Sequence, residues 1–142
     1  MASVKSTNIT NLDASPSTLP EAREVSGKLR VFTDTYEASS LAAGSDITVA
    51  RIPTGAKIVD IKVIADALGG SVTLAVGDST DPDRYITATA MNTADKVLSL
   101  LGDGEIAGHN YEVTSTTNDI TVTTAGAAAT GTIQSTVIYS VE

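Results

Sequence analysis

The strongest constraint on the fold lies between Arg51 and Arg84, RIPTGAKIVDIKVIADALGGSVTLAVGDSTDPDR, where two short alternating apolar runs stand between turn signals. In Ile58–Ala65 and Val72–Val76 the apolar residues recur with period two, which sends successive side chains to opposite faces of a strand. Pro53-Thr54-Gly55 precedes the runs, Gly69-Gly70 breaks them and Gly77-Asp78 closes them. The stretch therefore predicts a β-hairpin turning at Gly69-Gly70 in the middle of an all-β domain. Val59, Ile61, Val63 and Ala65 form the row expected to face the core. Asp60 and Lys62 fall on the other row, which faces water or a partner.

The same period recurs on both sides of this stretch. Leu29, Val31 and Thr33 alternate with Arg30, Phe32 and Asp34, so the folded domain is expected to start at Lys28. A turn at Ala43–Asp46 leads into a strand ending at Ile52-Pro53, where proline has no N–H to donate to a ladder. Tyr85–Ala90 is a further strand, with either face available as the inner one. Between Asn92 and Gly108 the pattern is irregular, and Val97, Leu98, Leu100 and Leu101 fit a short strand or a single helical turn. Tyr111 and Val113, then Ile120–Thr124, then Ile133–Val141 restore the alternation. About eight short strands, with no helix long enough to cover a sheet, predict a two-sheet antiparallel β-sandwich of jelly-roll type over residues 28–142. No segment repeats at a fixed period, which argues against a solenoid or propeller.

Residues 1–27, MASVKSTNITNLDASPSTLPEAREVSG, hold few apolar side chains, two prolines and no period. Such a segment cannot bury enough apolar surface to offset an ordering entropy of roughly 1–2 kcal/mol per residue, so it is expected to be an extended arm that orders against a neighbour. Pro20–Glu24 is compatible with one helical turn. The polar residues after Lys5 do not form the apolar segment of a secretory leader, and the expectation is a chain made and kept unprocessed in the cytoplasm.

Charge narrows the partners. Nine Lys and Arg against 17 Asp and Glu leave a net charge of −8, the wrong sign for nucleic acid or an anionic membrane surface. With no cysteine there are no disulfides, thiolate metal sites or cysteine nucleophiles.

Asp78, Asp81 and Asp83 in GDSTDPDR are spaced so that their carboxylates could gather around a calcium ion, yet Asp is equally expected in a turn that it caps with its own carboxylate. Asp103 and Glu105 meet the same objection. His109, the single histidine, lacks a nucleophile-elbow sequence elsewhere in the chain to serve. Four Tyr and one Phe are few for a sugar-binding platform. Gly69-Gly70 and Gly102-x-Gly104 do not stand between a strand and a helix, so they are turns and not phosphate loops. The chain is thus expected to be no enzyme and to need no cofactor or metal. Its one local excess of positive charge, Arg51, Lys57, Lys62 and Arg84, marks a possible docking place for an acidic partner, with Lys57, Asp60 and Lys62 the candidate interface residues.

RIPTGAKIVDIKVIADALGGSVTLAVGDSTDPDRYI, followed by YEVTSTTNDITVTTAGAAATGTIQSTVIYSV, resembles small structural proteins of tailed-bacteriophage heads over about residues 29–141. The shared features are a proline-glycine turn into the KIVDIKV strand, a strand ending in Val-Gly-Asp, and a Thr-Gly-Thr-Ile strand ending in Val-Ile-Tyr. The resemblance implies a capsid decoration, or cement, protein on the outer surface of the virion. Such a protein binds the major capsid protein and is a homo-oligomer, commonly a trimer. A tail- or fibre-associated virion protein, and a carbohydrate-binding or hydrolytic sandwich built on Asp78, Asp83 or His109, are the alternatives.

Overall fold

The computed structural model describes residues 2–142. Two short helices, α1 (Thr7–Leu12) and α2 (Ala22–Val25), lead into eight strands: β1 (Lys28–Leu41), β2 (Asp46–Arg51), β3 (Lys57–Ala65), β4 (Thr73–Gly77), β5 (Ile86–Ala90), β6 (Lys96–Ser99), β7 (Asp119–Ala125) and β8 (Ala129–Val141). A one-turn helix α3 (Leu100–Asp103) follows β6 directly. The strands form two four-stranded sheets in the orders β1-β8-β3-β6 and β2-β7-β4-β5. Every pairing is antiparallel, and the order is that of a jelly roll, as the strand pattern predicted. First and last strands pair over nearly their whole length, from Lys28 opposite Val141 to Ala38 opposite Gly131.

The core lies between the sheets. Ile58, Ile61, Val63 and Val137 from one sheet meet Leu74, Val76, Ile120 and Val122 from the other, all essentially without solvent exposure. Full burial of each such side chain is worth about 1.5–3 kcal/mol relative to leaving it in water. Thr124 is buried with them, and its Oγ1 donates to the carbonyls of Ala42 and Ser45 at 3.2 and 3.3 Å, which fastens the β1–β2 turn to β7.

The structure corrects the hairpin expected at Gly69-Gly70. Strands β3 and β4 belong to opposite sheets, and the segment between them crosses the end of the sandwich. A two-residue turn needs strands that pair right up to it, whereas here Asp66–Val72 separates them and puts Leu68 into the core. Leu68 is held there by its amide bond to the Met91 carbonyl (2.9 Å) and by the Thr130 amide on its own carbonyl (3.1 Å). The true hairpin is β4–β5, closed by GDSTDPDRY.

A second correction concerns the inner row of β3. Its register with β8 slips between Ile58 and Asp60, so Val59 is an extra residue on a β-bulge. Ile58 and Ile61 are both fully buried, while Val59 is 36% exposed. Strict alternation places Val59 beside Ile61; the bulge reverses the phase of the strand before it. Tyr111 and Val113 do not form a strand either. That segment makes one isolated bridge, Lys57 to Glu112, and Val113 enters the core from a loop. The irregular Asn92–Gly108 region contains both of its expected alternatives, β6 and then α3.

Candidate interaction surfaces

Lys57, Asp60 and Lys62 sit on β3, where the sequence placed one exposed charged face, but the structure divides them. Lys57 is 8% exposed, and its Nζ lies 2.8 Å from Glu24 Oε1 and 3.0 Å from Glu21 Oε2, both in the N-terminal segment. Asp60 keeps the outward phase of Lys62 but is 4% exposed because the end of β6 and α3 cover it. Its Oδ1 accepts from Ser99 Oγ at 3.1 Å and from the Leu101 amide at 3.2 Å. Only Lys62 presents its charge to solvent, 3.7 Å from Asp60. The expected exposed face of Asp60 and Lys62 is therefore reduced to Lys62.

The expected positive patch is reduced in the same way. Arg51 forms a two-pronged contact with Asp119 at 2.6 and 2.9 Å, and Arg84 is bound to Asp78. Arg84 also lies over the Tyr111 ring at 4.4 Å, and Tyr111 meets Tyr85 edge-on at 6.1 Å. This stack ties the β4–β5 turn to the loop that carries His109 and Asn110.

The residues that the sequence reading missed belong to the N-terminal segment. Arg23 donates to the Gly55 carbonyl and forms ion pairs with Glu21 (2.9 Å) and Glu112 (3.2 Å), while its own carbonyl accepts from Ser140 Oγ at 2.8 Å. Glu24 receives Lys57, Asn110 Nδ2 at 2.9 Å and Asn8 Nδ2 at 3.3 Å. These hydrogen bonds, that from Lys57 above all, bring the Glu24 carboxyl down to about 2. The same lysine lowers Glu21, and the two glutamates raise Lys57, Glu24 foremost. Segment 20–27 thus docks through charge and hydrogen bonds rather than apolar burial. The signal was present as Glu21-Ala22-Arg23-Glu24, opposite-sign charges in an otherwise uncharged stretch. Its partner Lys57 lies too far along the chain to be paired with it by inspection.

His109 and the Asp78–Asp83 turn do not share a site, although within the turn the Asp83 carboxyl lies against Asp81, which pushes it up. Asp78 is buried with its carboxylate occupied: Oδ1 accepts from the Thr80 amide (2.9 Å), Thr80 Oγ1 (2.7 Å) and the Asp81 amide (3.2 Å), and Oδ2 accepts from Arg84 Nε. Burial pushes this carboxyl up, but the bonds from Arg84 and Thr80 outweigh it and hold it below the usual range. Among the described residues no group of three or more acidic, His or Cys side chains is arranged to hold a metal ion. His109 lines an open groove of about 460 Å³ with Asn8, Glu24, Val59, Leu101 and Asn110, and neither Asp78 nor Asp83 reaches it.

The outer face of the β1-β8-β3-β6 sheet is the broadest regular surface. Across it run Val31, Ile138 and Asp60, then Thr33, Thr136, Lys62 and Ser99, then Thr35, Gln134, Ile64 and Val97. Val31 is 60% exposed and Val97 49%, so apolar residues flank a polar central row.

No family model matches the sequence, and no curated protein matches it. Solved structures do share the fold. A chain of the cyanophage Pam1 capsid asymmetric unit is similar with a TM-score of 0.68 and 20% identity, over 92% of this chain and 97% of that one. A chain from the capsid of Ralstonia phage GP4 gives 0.56 and 20%, over 88% of this chain and 90% of that one. One from the capsid of Helicobacter pylori bacteriophage KHP30 gives 0.54 and 13%, over 80% and 87%. At these identities the likeness establishes the jelly-roll fold.

Proposed function

We propose that this chain is a structural protein of a bacteriophage virion, which binds the outer surface of the capsid and stabilises contacts between major capsid subunits. The observation that carries this reading is the near end-to-end likeness to a chain of the Pam1 capsid, which extends over 92% of this chain and leaves almost none of that chain unmatched. A module matched over nearly the whole of both chains is comparable as a unit, and not as one sandwich among the parts of a larger enzyme.

The site geometry supports the same reading. Asp78, a candidate for chemistry, is taken up by Arg84, and Asp60, a candidate interface residue, by the end of β6 and α3. What the fold offers instead is surface: one broad sheet face with the exposed Lys62 at its centre, 3.7 Å from Asp60, and a charged N-terminal segment held by exchangeable ion pairs. Both suit a protein that acts by binding other subunits, without turnover. The partner in this proposal is the major capsid protein, and the location is the head exterior.

The test is reconstitution. Expanded heads lacking this chain, mixed with the purified protein and imaged by electron cryomicroscopy, are expected to show added density at regular positions on the outer lattice and to resist heat or mechanical disruption better. Heads that stay bare overturn the reading, and density confined to the tail replaces it with a tail-associated role.

A further inference from the structure

We propose that β1 is a dimerisation edge, through which two copies of this chain pair antiparallel about a twofold axis at Phe32. The sandwich has four sheet edges: β1 and β6 in one sheet, β2 and β5 in the other. β2, β5 and β6 are four to six residues long, and α3 closes the end of β6. β1 runs for 14 residues, with no proline and no register slip before Ala38. Proteins usually guard long edges with prolines, bulges or a covering element, because the free amides and carbonyls template another strand. From Lys28 to Tyr36 this one carries none of those guards; its one protection is charge, Lys28, Arg30 and Asp34, and those charges are of both signs.

Two contacts identify which backbone groups face outward. The Thr35 amide donates to its neighbour Asp34 Oδ1 (2.8 Å), and the Leu29 carbonyl accepts from Arg30 (3.1 Å). Neither group is spent on β8. Since a strand alternates its hydrogen-bonding side residue by residue, Leu29, Val31, Thr33 and Thr35 all present N–H and C=O to the free edge. A second strand therefore has to place its own odd-numbered residues opposite these.

Charge and the number of facing hydrogen-bonded pairs together select the register. Lys28 and Arg30 stand at one end of this segment and Asp34 and Glu37 at the other, and among the described residues none of the four enters an ion pair. Antiparallel self-pairing lays one end over the other. With Phe32 opposite Phe32, Arg30 of each copy faces Asp34 of the other, and Val31 faces Thr33 in a hydrogen-bonded pair. The even-numbered residues then occupy non-hydrogen-bonded positions, where side chains approach most closely. Shifting by two residues one way sets Phe32 against Asp34 and loses both ion pairs; shifting the other way sets Arg30 against Phe32, faces Lys28 with Asp34 instead, and leaves three facing odd pairs in place of four. The favoured register exchanges about eight backbone hydrogen bonds, two for each facing odd pair. It also joins the two β1-β8-β3-β6 sheets into one and gathers the exposed Val31 side chains around the axis. A twofold unit differs from the trimer that the family resemblance implied, and it concerns the free chain, so it stands or falls apart from capsid binding.

Sedimentation equilibrium on the purified full chain tests this, with circular dichroism confirming the fold of each variant. The wild type is expected to be a reversible dimer. Arg30→Asp and Asp34→Arg each turn two attractions into two repulsions and are expected to weaken the dimer about tenfold or more. The double variant Arg30→Asp/Asp34→Arg restores the pairs with their signs exchanged and is expected to recover wild-type affinity. A monomer or closed trimer for the wild type, single variants that associate normally, or a double variant that fails to recover would each overturn the proposal.

Discussion

Asp78→Ala is the perturbation that most directly separates a structural turn from a ligand site. The Asp78 carboxylate is fully enclosed and receives three hydrogen bonds from Thr80 and Asp81 in addition to Arg84. All four bonds end on the ionised carboxylate; losing the one from Arg84 costs about 1.5–3 kcal/mol, and those from the neutral donors of Thr80 and Asp81 add to it, each reduced where water reaches the freed group. Thr80 is exposed and recovers part of its loss in that way. The expected total is about 3 kcal/mol, or a fall of about 10 °C in thermal midpoint for a domain of this size. Asp78→Asn keeps one acceptor for Thr80 and Asp81 but sets an amide against Arg84, so about half the loss is expected. Because the native carboxyl titrates below its unfolded value, its contribution is present above about pH 4 and fades as pH falls further. The gap between wild type and Asp78→Ala should therefore narrow in acid. Thermal unfolding by circular dichroism at neutral and acid pH, with and without calcium, measures all of this. A midpoint within about 2 °C of wild type refutes the structural role, and a calcium-dependent midpoint in the wild type alone restores the cation-site reading.

Further outcomes follow from other contacts. The clamp on the N-terminal segment pairs Glu24, lowered to about 2, with a raised Lys57, so docking should hold from ordinary carboxylate pH through the ordinary lysine range and loosen as pH falls toward 2; hydrogen exchange at Val25 and Ser26 reads this, and protection unchanged at pH 2 contradicts it. Lys57→Glu should release the segment even in the free protein, whereas Lys62→Glu should leave fold and segment intact and weaken head binding only; normal binding by Lys62→Glu removes the centre of the β3 face from the proposed interface. Gly126→Ala places a Cβ 1.9 Å from the Ser71 carbonyl at a φ of +85°, so a loss above about 2 kcal/mol is expected in denaturant unfolding, and a neutral result shows that the β7–β8 turn can shift.

Period-two alternation and turn residues were enough to give the fold class, because the inner row of each strand in a two-layer sandwich must be apolar whatever it pairs with. Ile120, Val122 and Thr124, and Ile133, Ser135 and Val137, are buried on that rule alone. The Asp-rich turn was also legible, since Asp78 caps it with contacts two, three and six residues away. What sequence spacing could not carry was anything set by partners distant in the chain. Nothing local distinguishes the crossing at Gly69-Gly70 from a hairpin; β4 pairs with β7 in the other sheet while Leu68 fills the end of the core. Nothing in KIVDIKV announces the bulge against β8 that exposes Val59, or the end of β6 and α3 that cover Asp60. Lys57 looked like an interface lysine until the fold brought Glu21 and Glu24 onto it from more than 30 residues away. Local pattern determined which residues face inward; only the tertiary structure decided which charges are already neutralised and which edge of the sheet is left open, because both depend on long-range pairings that local periodicity does not encode.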